Sequence, residues 1–528
     1  MDDQDEVVLY GIGFSIAQAV SPRTGAMNKC IRVMYPEHKV HDNDDHGDED
    51  IGHIDQICAS DSHIVLLTGQ GNVYSAGSNT YGQCGIRDRG RFIDAPVLIN
   101  FPCTVGAVAC GLHHTAFVLT NGLLYTCGDG DYGRLGVGGD FKSPPRLETP
   151  AVVYFGSGND KTAKKPVDNA LSASHVLNVS CGALHTAAIV IFNGNIENRY
   201  LYTMGAGNSG RLGHGDDGDQ YLPKCVAPPY MFEEASLSSR DSSLSENDHI
   251  KSLPIEFWSM RMVACGSKHT ICVTMKGAGY SFGFGGDGRL GLGNEINQFR
   301  PKRIGSCTTH VRQTADDDAI NARSIVTYAA CGLRHSGIVT AEGSLFTFGR
   351  NSYGQLGHNQ DLSPSRQKNY SSNLGPFDIV LNPQRVQSVL ERVHVVKVYC
   401  GFNHTIALGS RGKTFGFGNN SHGQSSHADV GIHQLTPVLN GMSPTPQTCT
   451  VACACTENCT YVVVREKIRA KDMKVTVAKS KMIEAKDHSI TMKSLNPLNY
   501  RRVAPADLSG HGIEYFKSKL VQAHKSNF

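Results

Sequence analysis

The sequence predicts an all-β fold in which seven small sheets form a closed ring. One phrase recurs six times along the chain, and each copy contains two short apolar segments joined by a tight turn. A seventh copy is divided between the two ends of the chain. A small sheet that cannot bury both faces alone is stabilised by packing against copies of itself around an axis. Most of the 528 residues are therefore assigned to one body.

The repeated phrase has two halves, each of which predicts strands. The first half is small-Cys-Gly-x-x-His-Thr followed by an apolar alternation, and the second contains apolar-Tyr/Phe-x-x-Gly and then Gly-Arg/Gln-Leu-Gly. Segments such as TAFVLT and LLYTCG have the length and composition of strands. They are joined at x-Gly pairs, which favour tight hairpin turns; four of these pairs are 121–122, 276–277, 342–343 and 411–412. The six copies start at Cys58, Cys110, Cys181, Cys265, Cys331 and Cys400.

The seventh copy predicts how the ring closes. Residues 453–464, CACTENCTYVVV, form a degraded first half in which Cys459 occupies the histidine position. The missing strand pair is assigned to VVLYGIG, residues 7–13. A last blade built from both ends would leave no open sheet edge between the first and last repeats.

These phrases resemble the repeat of the RCC1 (regulator of chromosome condensation) family. The resemblance covers roughly residues 7–464. It implies a seven-bladed β-propeller whose last blade is closed by the N- and C-terminal segments. It implies function less directly, because one fold hosts many activities.

Outside the repeats, polar and charged segments predict loops and a tail. Two insertions are expected within a propeller of residues 1–464, at about 38–53 and 214–258, and the second contains the acidic, Ser-rich MFEEASLSSRDSSLSENDHI. Residues 465–528 carry 14 Lys/Arg against 6 Asp/Glu, which predicts a basic tail that is disordered or partly helical. An alternative role for this tail is contact with nucleic acid or chromatin.

Composition indicates the compartment. The N-terminus MDDQDEVVLY lacks the features of a targeting peptide, and no apolar run is long enough to span a membrane. The 17 cysteines are odd in number, and six recur at one place in the repeat, which favours reduced thiols in the cytoplasm or nucleus.

The recurrent histidines are interpreted as structural. A ring of blades would separate them, so we expect each His-Thr pair to hydrogen-bond backbone within its own blade. The thiols of CACTENC are too few for a closed zinc site, and the glycine phrases lack the Lys-Ser/Thr of a phosphate-binding loop. No catalytic site for covalent chemistry, no cofactor and no metal is predicted.

The loops of the Gly-x-x-His phrase are the predicted binding surface. In RCC1-like proteins that exchange nucleotide on the small GTPase Ran, these loops present acidic and histidine residues. Here most x-x pairs are apolar or basic, which disfavours Ran exchange. The chain is therefore predicted to be a protein-interaction scaffold or regulator, and the alternative is a guanine-nucleotide exchange factor for a Ran-like or other small GTPase. The candidate binding residues are Asp61, His113, Lys268, Arg334 and Asn403.

Overall fold

The computed structural model describes most of the repeat region and little outside it. The described residues are 4–13, 31–32, 53–87, 90–139, 145–156, 174–229, 258–305, 325–358, 379–425, 433–439, 448–457 and 459–468. The predicted insertion at 38–53 lies outside them except for His53, and so do residues 230–257 of the second insertion. The predicted basic tail also lies outside them from residue 469 onward.

The described residues form an all-β propeller of four-stranded antiparallel sheets. Six sheets are each made of four consecutive strands, and we number them sheets 1 to 6 in chain order. Sheets 1 to 3 contain β3 (Ile54–Ala59), β4 (His63–Thr68), β5 (Val73–Ser78), β6 (Phe92–Ile99), β7 (Val105–Cys110), β8 (His114–Leu119), β9 (Leu124–Asp129), β10 (Arg146–Val153), β11 (Ser174–Cys181), β12 (His185–Phe192), β13 (Tyr200–Gly205) and β14 (Gln220–Cys225). Sheets 4 to 6 contain β15 (Met260–Cys265), β16 (His269–Thr274), β17 (Gly279–Gly283), β18 (Gln298–Arg303), β19 (Val326–Cys331), β20 (His335–Thr340), β21 (Leu345–Arg350), β22 (Ile379–Arg385), β23 (Val395–Cys400), β24 (His404–Gly409), β25 (Thr414–Gly418) and β26 (Gln434–Leu439). Short 3-10 turns occupy Asp131–Gly133, Asn208–Gly210, Gly286–Gly288 and Ser388–Arg392.

A further four-stranded sheet, the composite sheet, joins the two ends of the chain. It contains β1 (Gln4–Gly13), β2 (Ile31–Arg32), β27 (Thr448–Cys455) and β28 (Cys459–Ile468) in the order β2-β1-β28-β27. Strand β1 pairs with β28 along its whole length, from Gln4↔Ile468 to Gly13↔Cys459. The predicted meeting of the two ends is therefore confirmed.

Three details differ from the sequence prediction. Residues 7–13 belong to one strand and do not supply a pair, because β2 provides the fourth strand. Strand β28 continues four residues past the expected end of the propeller at residue 464. The insertion expected from residue 214 begins later, since β14 follows His214. Strand β14 (QYLPKC) is an outer strand with mixed polarity and a proline, so it lacks the apolar alternation that identifies inner strands.

Apolar clusters hold neighbouring sheets together. Val65 and Leu67 of sheet 1 pack with Phe117 and Leu119 of sheet 2, and equivalent clusters lie between each later pair of sheets. Another cluster packs sheet 6 against the composite sheet. Tyr461 of the composite sheet packs in a cluster with Ile57 and Leu66 of sheet 1. The first and last parts of the repeat region therefore share a core.

A polar contact accompanies the apolar core at six of these interfaces, and we call it the relay. The histidine that starts the second strand of one sheet bonds the hydroxyl of Thr or Ser in the next sheet, and that hydroxyl donates to a carbonyl back in the first sheet. The His Nε2–Oγ distances are 2.7 Å for His63–Thr115, 2.8 Å for His114–Thr186, 2.9 Å for His185–Thr270, 2.8 Å for His269–Ser336, 2.9 Å for His335–Thr405 and 2.9 Å for His404–Thr460. The carbonyls belong to the Arg or Gln of the repeat phrase: Gln83, Arg134, Arg211, Arg289, Gln355 and Gln424.

The relay fixes the histidine tautomer. A hydroxyl has one proton, and each relay hydroxyl donates it to a carbonyl, so the histidine Nε2–H must be the donor to the hydroxyl oxygen. The histidines are fully buried, and burial lowers the pKa of His63, His185, His335 and His404 to about 3. The structural role predicted for these histidines agrees with this geometry. The predicted partner was wrong, however, because the bonds link neighbouring sheets and not the backbone of one blade.

The sequence alignment of the repeated cysteines is wrong by one residue in sheet 1. Ala59, not Cys58, is the residue of sheet 1 that pairs like Cys110 of sheet 2, since Ala59↔Ile64 corresponds to Cys110↔Thr115. Residues 59–63 (ASDSH) and 110–114 (CGLHH) have the same length, so Ala59 takes the place of the repeated cysteine in sheet 1 and Ser60 takes the place of the glycine. Cys58 lies one position earlier, and its Sγ is 2.8 Å from that of Cys110.

Replacing a relay hydroxyl is expected to destabilise the whole propeller. Thr270→Val keeps the shape of the side chain but leaves the His185 Nε2–H and the Arg211 carbonyl without partners in a buried site. An unsatisfied buried group costs about 1–3 kcal/mol, so the free energy of unfolding should fall by about 2–5 kcal/mol in urea titrations. Thr104→Val, which removes an exposed hydroxyl, is the matched control. Equal effects of the two substitutions would contradict the relay.

Stability is also expected to fall in acid. The relay histidines remain neutral in the folded state, whereas in the unfolded chain they take up protons near pH 6.5. Lowering the pH from 6.5 to 5.5 should therefore reduce the free energy of unfolding by roughly 1 kcal/mol per relay histidine. Urea midpoints measured across this range test the effect. His335→Gln, whose amide can still donate but does not titrate, should weaken this pH dependence, and an unchanged pH dependence in that variant would contradict the assignment.

Candidate binding site on the loop face

The candidate residues lie at one end of the sheets, which we call the loop face. In sheets 1 to 6 it consists of the loops that join the first strand to the second and the third strand to the fourth. The opposite end carries the tight turns between the second and third strands, where Gly122, Gly277, Gly343 and Gly412 have the positive φ that the predicted x-Gly turns require.

The position before each histidine has a fixed backbone. Its carbonyl accepts a hydrogen bond from the first residue after the third strand or the last residue of that strand, within the same sheet. The N···O distances are 2.7 Å for Ser78–Ser62, 2.9 Å for Asp129–His113, 2.9 Å for Ala206–Leu184, 2.9 Å for Phe284–Lys268, 3.0 Å for Arg350–Arg334 and 2.8 Å for Asn419–Asn403. Four of the five candidates occupy this position, so their main chain is held while their side chains remain available.

Asp61, the fifth candidate, lies one residue earlier and performs a structural task. Its half-buried carboxylate accepts a hydrogen bond of 2.5 Å from the backbone N–H of Glu457 in the composite sheet. Burial raises the pKa of Asp61 to about 6, while hydrogen bonds from Glu457 and Thr456 oppose the rise. At this interface Cys459 replaces the relay histidine and Ile64 replaces the hydroxyl residue, so the relay is missing. Asp61 supplies a polar link in its place.

His113 stacks on an aromatic ring that the sequence prediction did not include. The centroids of His113 and Tyr81 are 4.8 Å apart, and the guanidinium of Arg146 lies 5.6 Å from the Tyr81 ring on the loop face. Burial lowers the pKa of His113, and the nearby Arg134 lowers it further. Tyr81 is 38% exposed, and Tyr132 at the same place in the next sheet is 41% exposed. Tyr and Arg are the residues most often responsible for affinity at protein interfaces.

Tyr81 and Tyr132 could have been found from their position. Both directly precede the Gly-Gln or Gly-Arg of the repeat phrase, a position that holds Ser209, Asp287, Tyr353 and His422 in the other sheets. Only the fold reveals that this position lies beside the Gly-x-x-His loops. The exposed aromatic side chains were therefore missed.

Lys268 and Arg334 are exposed at equivalent positions of neighbouring sheets 4 and 5. The Lys268 Nζ lies 5.5 Å from the centroid of Phe284. Beneath them the buried Arg289 donates to the Leu333 carbonyl at 2.7 Å, which links the loops of the two sheets. Burial lowers the pKa of Arg289, and the Asp287 carboxylate opposes that shift.

Asn403 is half-buried, and its neighbour Phe402 donates its backbone N–H to the Thr456 carbonyl of the composite sheet at 3.2 Å.

The structure thus brings the five candidates to one end of the sheets but distributes them over sheets 1, 2, 4, 5 and 6. Such an arrangement can recognise a surface, whereas bond-making chemistry needs groups within hydrogen-bond reach of a common atom. Along the part of the chain that is described, no helix has the length and apolar character to cross a membrane.

Comparison with known proteins agrees with this architecture. The Regulator of chromosome condensation (RCC1) repeat matches residues 70–118, 121–189, 200–239, 276–339 and 342–408, which together exceed half of the chain. A second form of the repeat matches residues 54–83, 107–134, 326–355 and 395–424. The chain belongs to the RCC1 repeat family.

Several curated proteins share this repeat region. The chain is 27% identical over 387 residues to the ultraviolet-B receptor UVR8 of Arabidopsis thaliana, covering 72% of this chain and 68% of UVR8. It is 30% identical over 252 residues to the protein RCC2 homolog of Danio rerio, covering 47% of this chain and 44% of that protein. It is 25% identical over 415 residues to human E3 ubiquitin-protein ligase HERC2, covering 78% of this chain but 7% of HERC2.

Solved structures support the fold. Human WBSCR16 superposes with a TM-score of 0.60 at 17% identity, covering 88% of this chain and all of that chain. Prp20p from Saccharomyces cerevisiae, described with its binding to Gsp1p and histones, superposes with a TM-score of 0.62 at 14% identity, covering 91% and 96% of the two chains. At such identities these likenesses concern the fold alone.

Removing the Asp61 carboxylate is expected to loosen the junction between sheet 1 and the composite sheet. Asp61→Ala deletes the acceptor for the Glu457 N–H, and a bond to a charged group contributes about 1.5–3 kcal/mol. Relative to the native chain, amide hydrogen–deuterium exchange in Asp61→Ala should then accelerate more in β1 and β28 than in β16 of sheet 4. Asp61→Asn keeps an acceptor oxygen and is expected to exchange nearly like the native chain. Unchanged exchange in Asp61→Ala would contradict this role.

Proposed function

We propose that the chain is an RCC1-like propeller of seven blades, the six consecutive sheets and the composite sheet, that acts as a protein-interaction scaffold or regulator. The loop face binds the partner, and the propeller spans residues 1–464 and the last residues of β28. The single observation that carries the proposal is that candidate side chains occupy positions whose backbone is fixed by the sheet. Side chains on a fixed backbone lose less conformational entropy when a partner binds.

The contacts of the loop face favour a protein partner. Tyr81 and Tyr132 are exposed there, and charged residues of both signs lie around them. Aromatic residues and arginine are enriched at protein interfaces. We propose the cytoplasm or nucleus as the compartment of the propeller, because the cysteine pattern of the sequence favours reduced thiols.

Partner capture tests this function. Proximity labelling with the full chain should identify a partner, which is then purified and titrated against the native chain. The variant His113→Ala/Asn403→Ala, on the loop face, should bind it several-fold more weakly. Asn121→Ala/Lys413→Ala changes two exposed residues at the opposite end and should bind normally. Equal affinity of all three chains would contradict binding through the loop face.

A second candidate is guanine-nucleotide exchange on a Ran-like or other small GTPase. The shared repeat with the RCC1 family favours it, whereas the apolar Leu112 and Ala183 on the loops of sheets 2 and 3 weaken it, since displacing Mg²⁺ and phosphate requires polar groups. Release of fluorescent GDP from a panel of small GTPases, with and without the chain, distinguishes the candidates. If none is accelerated, the exchange candidate is rejected and the scaffold remains.

A further inference from the structure

Positive charge is concentrated in three neighbouring sheets. The described residues of sheets 4 to 6 (258–305, 325–358, 379–425 and 433–439) contain fourteen Lys/Arg and four Asp/Glu. The described residues from 53 to 229, which form sheets 1 to 3, contain seven Lys/Arg and ten Asp/Glu. The propeller therefore has one basic sector, although the whole chain has a net charge of only +2.

Two cations of this sector project from the loop face. Lys268 and Arg334 both directly precede a relay histidine, and both are exposed. Among the described residues neither forms an ion pair, in contrast to Arg289 and Arg350. Their charges are thus available to a partner.

The structure beneath these cations is rigid. Both oxygens of the Asp287 carboxylate are occupied, Oδ2 by Arg289 Nη2 at 2.5 Å and Oδ1 by Arg350 Nη1 at 2.7 Å. Arg350 also donates its backbone N–H to the Arg334 carbonyl at 3.0 Å. This network ties the loops of sheets 4 and 5 together, so Lys268 and Arg334 stand on a common base.

An aromatic ring in the sector argues against single-stranded nucleic acid as the ligand. Binding of that kind uses exposed aromatic rings on which bases stack. Phe284 is the aromatic residue beside these cations, and it is only partly exposed. Lys268 Nζ lies 5.5 Å and Arg289 Cζ 4.8 Å from its centroid, so cations already occupy the ring. A flexible, carboxylate-rich segment, by contrast, can bind through the exposed charges of Lys268 and Arg334 without stacking on a ring.

We propose that Lys268 and Arg334 bind an acidic segment of a partner protein. This rests on the proposed function, because it specifies the chemistry of the partner that the loop face takes. Carboxylates pair with the guanidinium fork of Arg334 and with the Lys268 ammonium, and the basic sector attracts them over a longer range. Binding should therefore weaken as salt is added.

The test uses the full chain and a fluorescent poly-glutamate peptide in anisotropy titrations. The native chain should bind it, and Lys268→Glu/Arg334→Glu should bind about tenfold more weakly, which corresponds to about 1.4 kcal/mol. The matched control is Lys276→Glu/Arg411→Glu, which makes the same change of charge at the opposite end of the sheets. Its affinity should stay within about twofold of the native value. All four positions are exposed, and thermal unfolding verifies that both variants fold.

Other outcomes overturn the proposal in distinguishable ways. Equal losses in the two variants would mean that only net charge matters and that no site exists. Tighter binding of a single-stranded oligonucleotide of equal charge, lost in Lys268→Glu/Arg334→Glu, would assign the surface to nucleic acid. If a purified cellular partner needs His113 and Asn403 but not Lys268 and Arg334, the acidic-segment proposal fails while the proposed function stands. If no loop-face variant affects that partner, the proposed function itself fails.

Discussion

The relay between neighbouring sheets is the constraint on which the rest of the structure depends. It explains three residue types of the repeated phrase: the histidine, the hydroxyl residue that follows it, and the glycine. The histidine donates, the hydroxyl of the next sheet accepts and donates onward, and the Arg or Gln provides its carbonyl. The glycine that follows the repeated cysteine makes room for the ring, because a Cβ at Gly111 would lie 2.1 Å from the His114 Cε1. Buried hydrogen bonds that are paired in sequence, from the Nε2–H through the hydroxyl to the carbonyl, make the contact between the sheets rigid.

The closing interface shows what happens where the relay is absent. Ile64 and Cys459 fill the two relay positions, so this interface contains neither the buried imidazole donor nor the hydroxyl that would accept from it. The ten-residue pairing of β1 with β28 and the carboxylate of Asp61 then join the ends. Replacing both partners of a buried hydrogen bond by apolar groups is nearly neutral, whereas replacing one is costly. Cys459 at the histidine position is therefore compatible with the core because Ile64 replaces the hydroxyl at the same interface.

Much of this fold could be predicted from the sequence, and the failures have physical reasons. Inner strands such as β8 and β16 are apolar on both faces and are easily identified, whereas β14 is an outer strand with little periodicity. The divided repeat predicted the contact between the two ends because an open sheet edge is unfavourable. The sequence could not indicate that His63 reaches Thr115 in another sheet, since the partner lies 52 residues away. For the same reason the sequence could not indicate that the Asp61 carboxylate reaches Glu457, which is 396 residues distant.

The relay also explains at which positions the amino acid can differ from one sheet to the next. At the position before each histidine, the fold uses only the backbone carbonyl, which any residue provides. The side chain there is required neither by the core nor by the relay, so Ser62, Leu184 and Lys268 can occupy equivalent positions. The fold consequently fixes the place and direction of these side chains but not their chemistry. Such positions can therefore give the loop face specificity, and in sheets 4 and 5 the residues that fill them are cations.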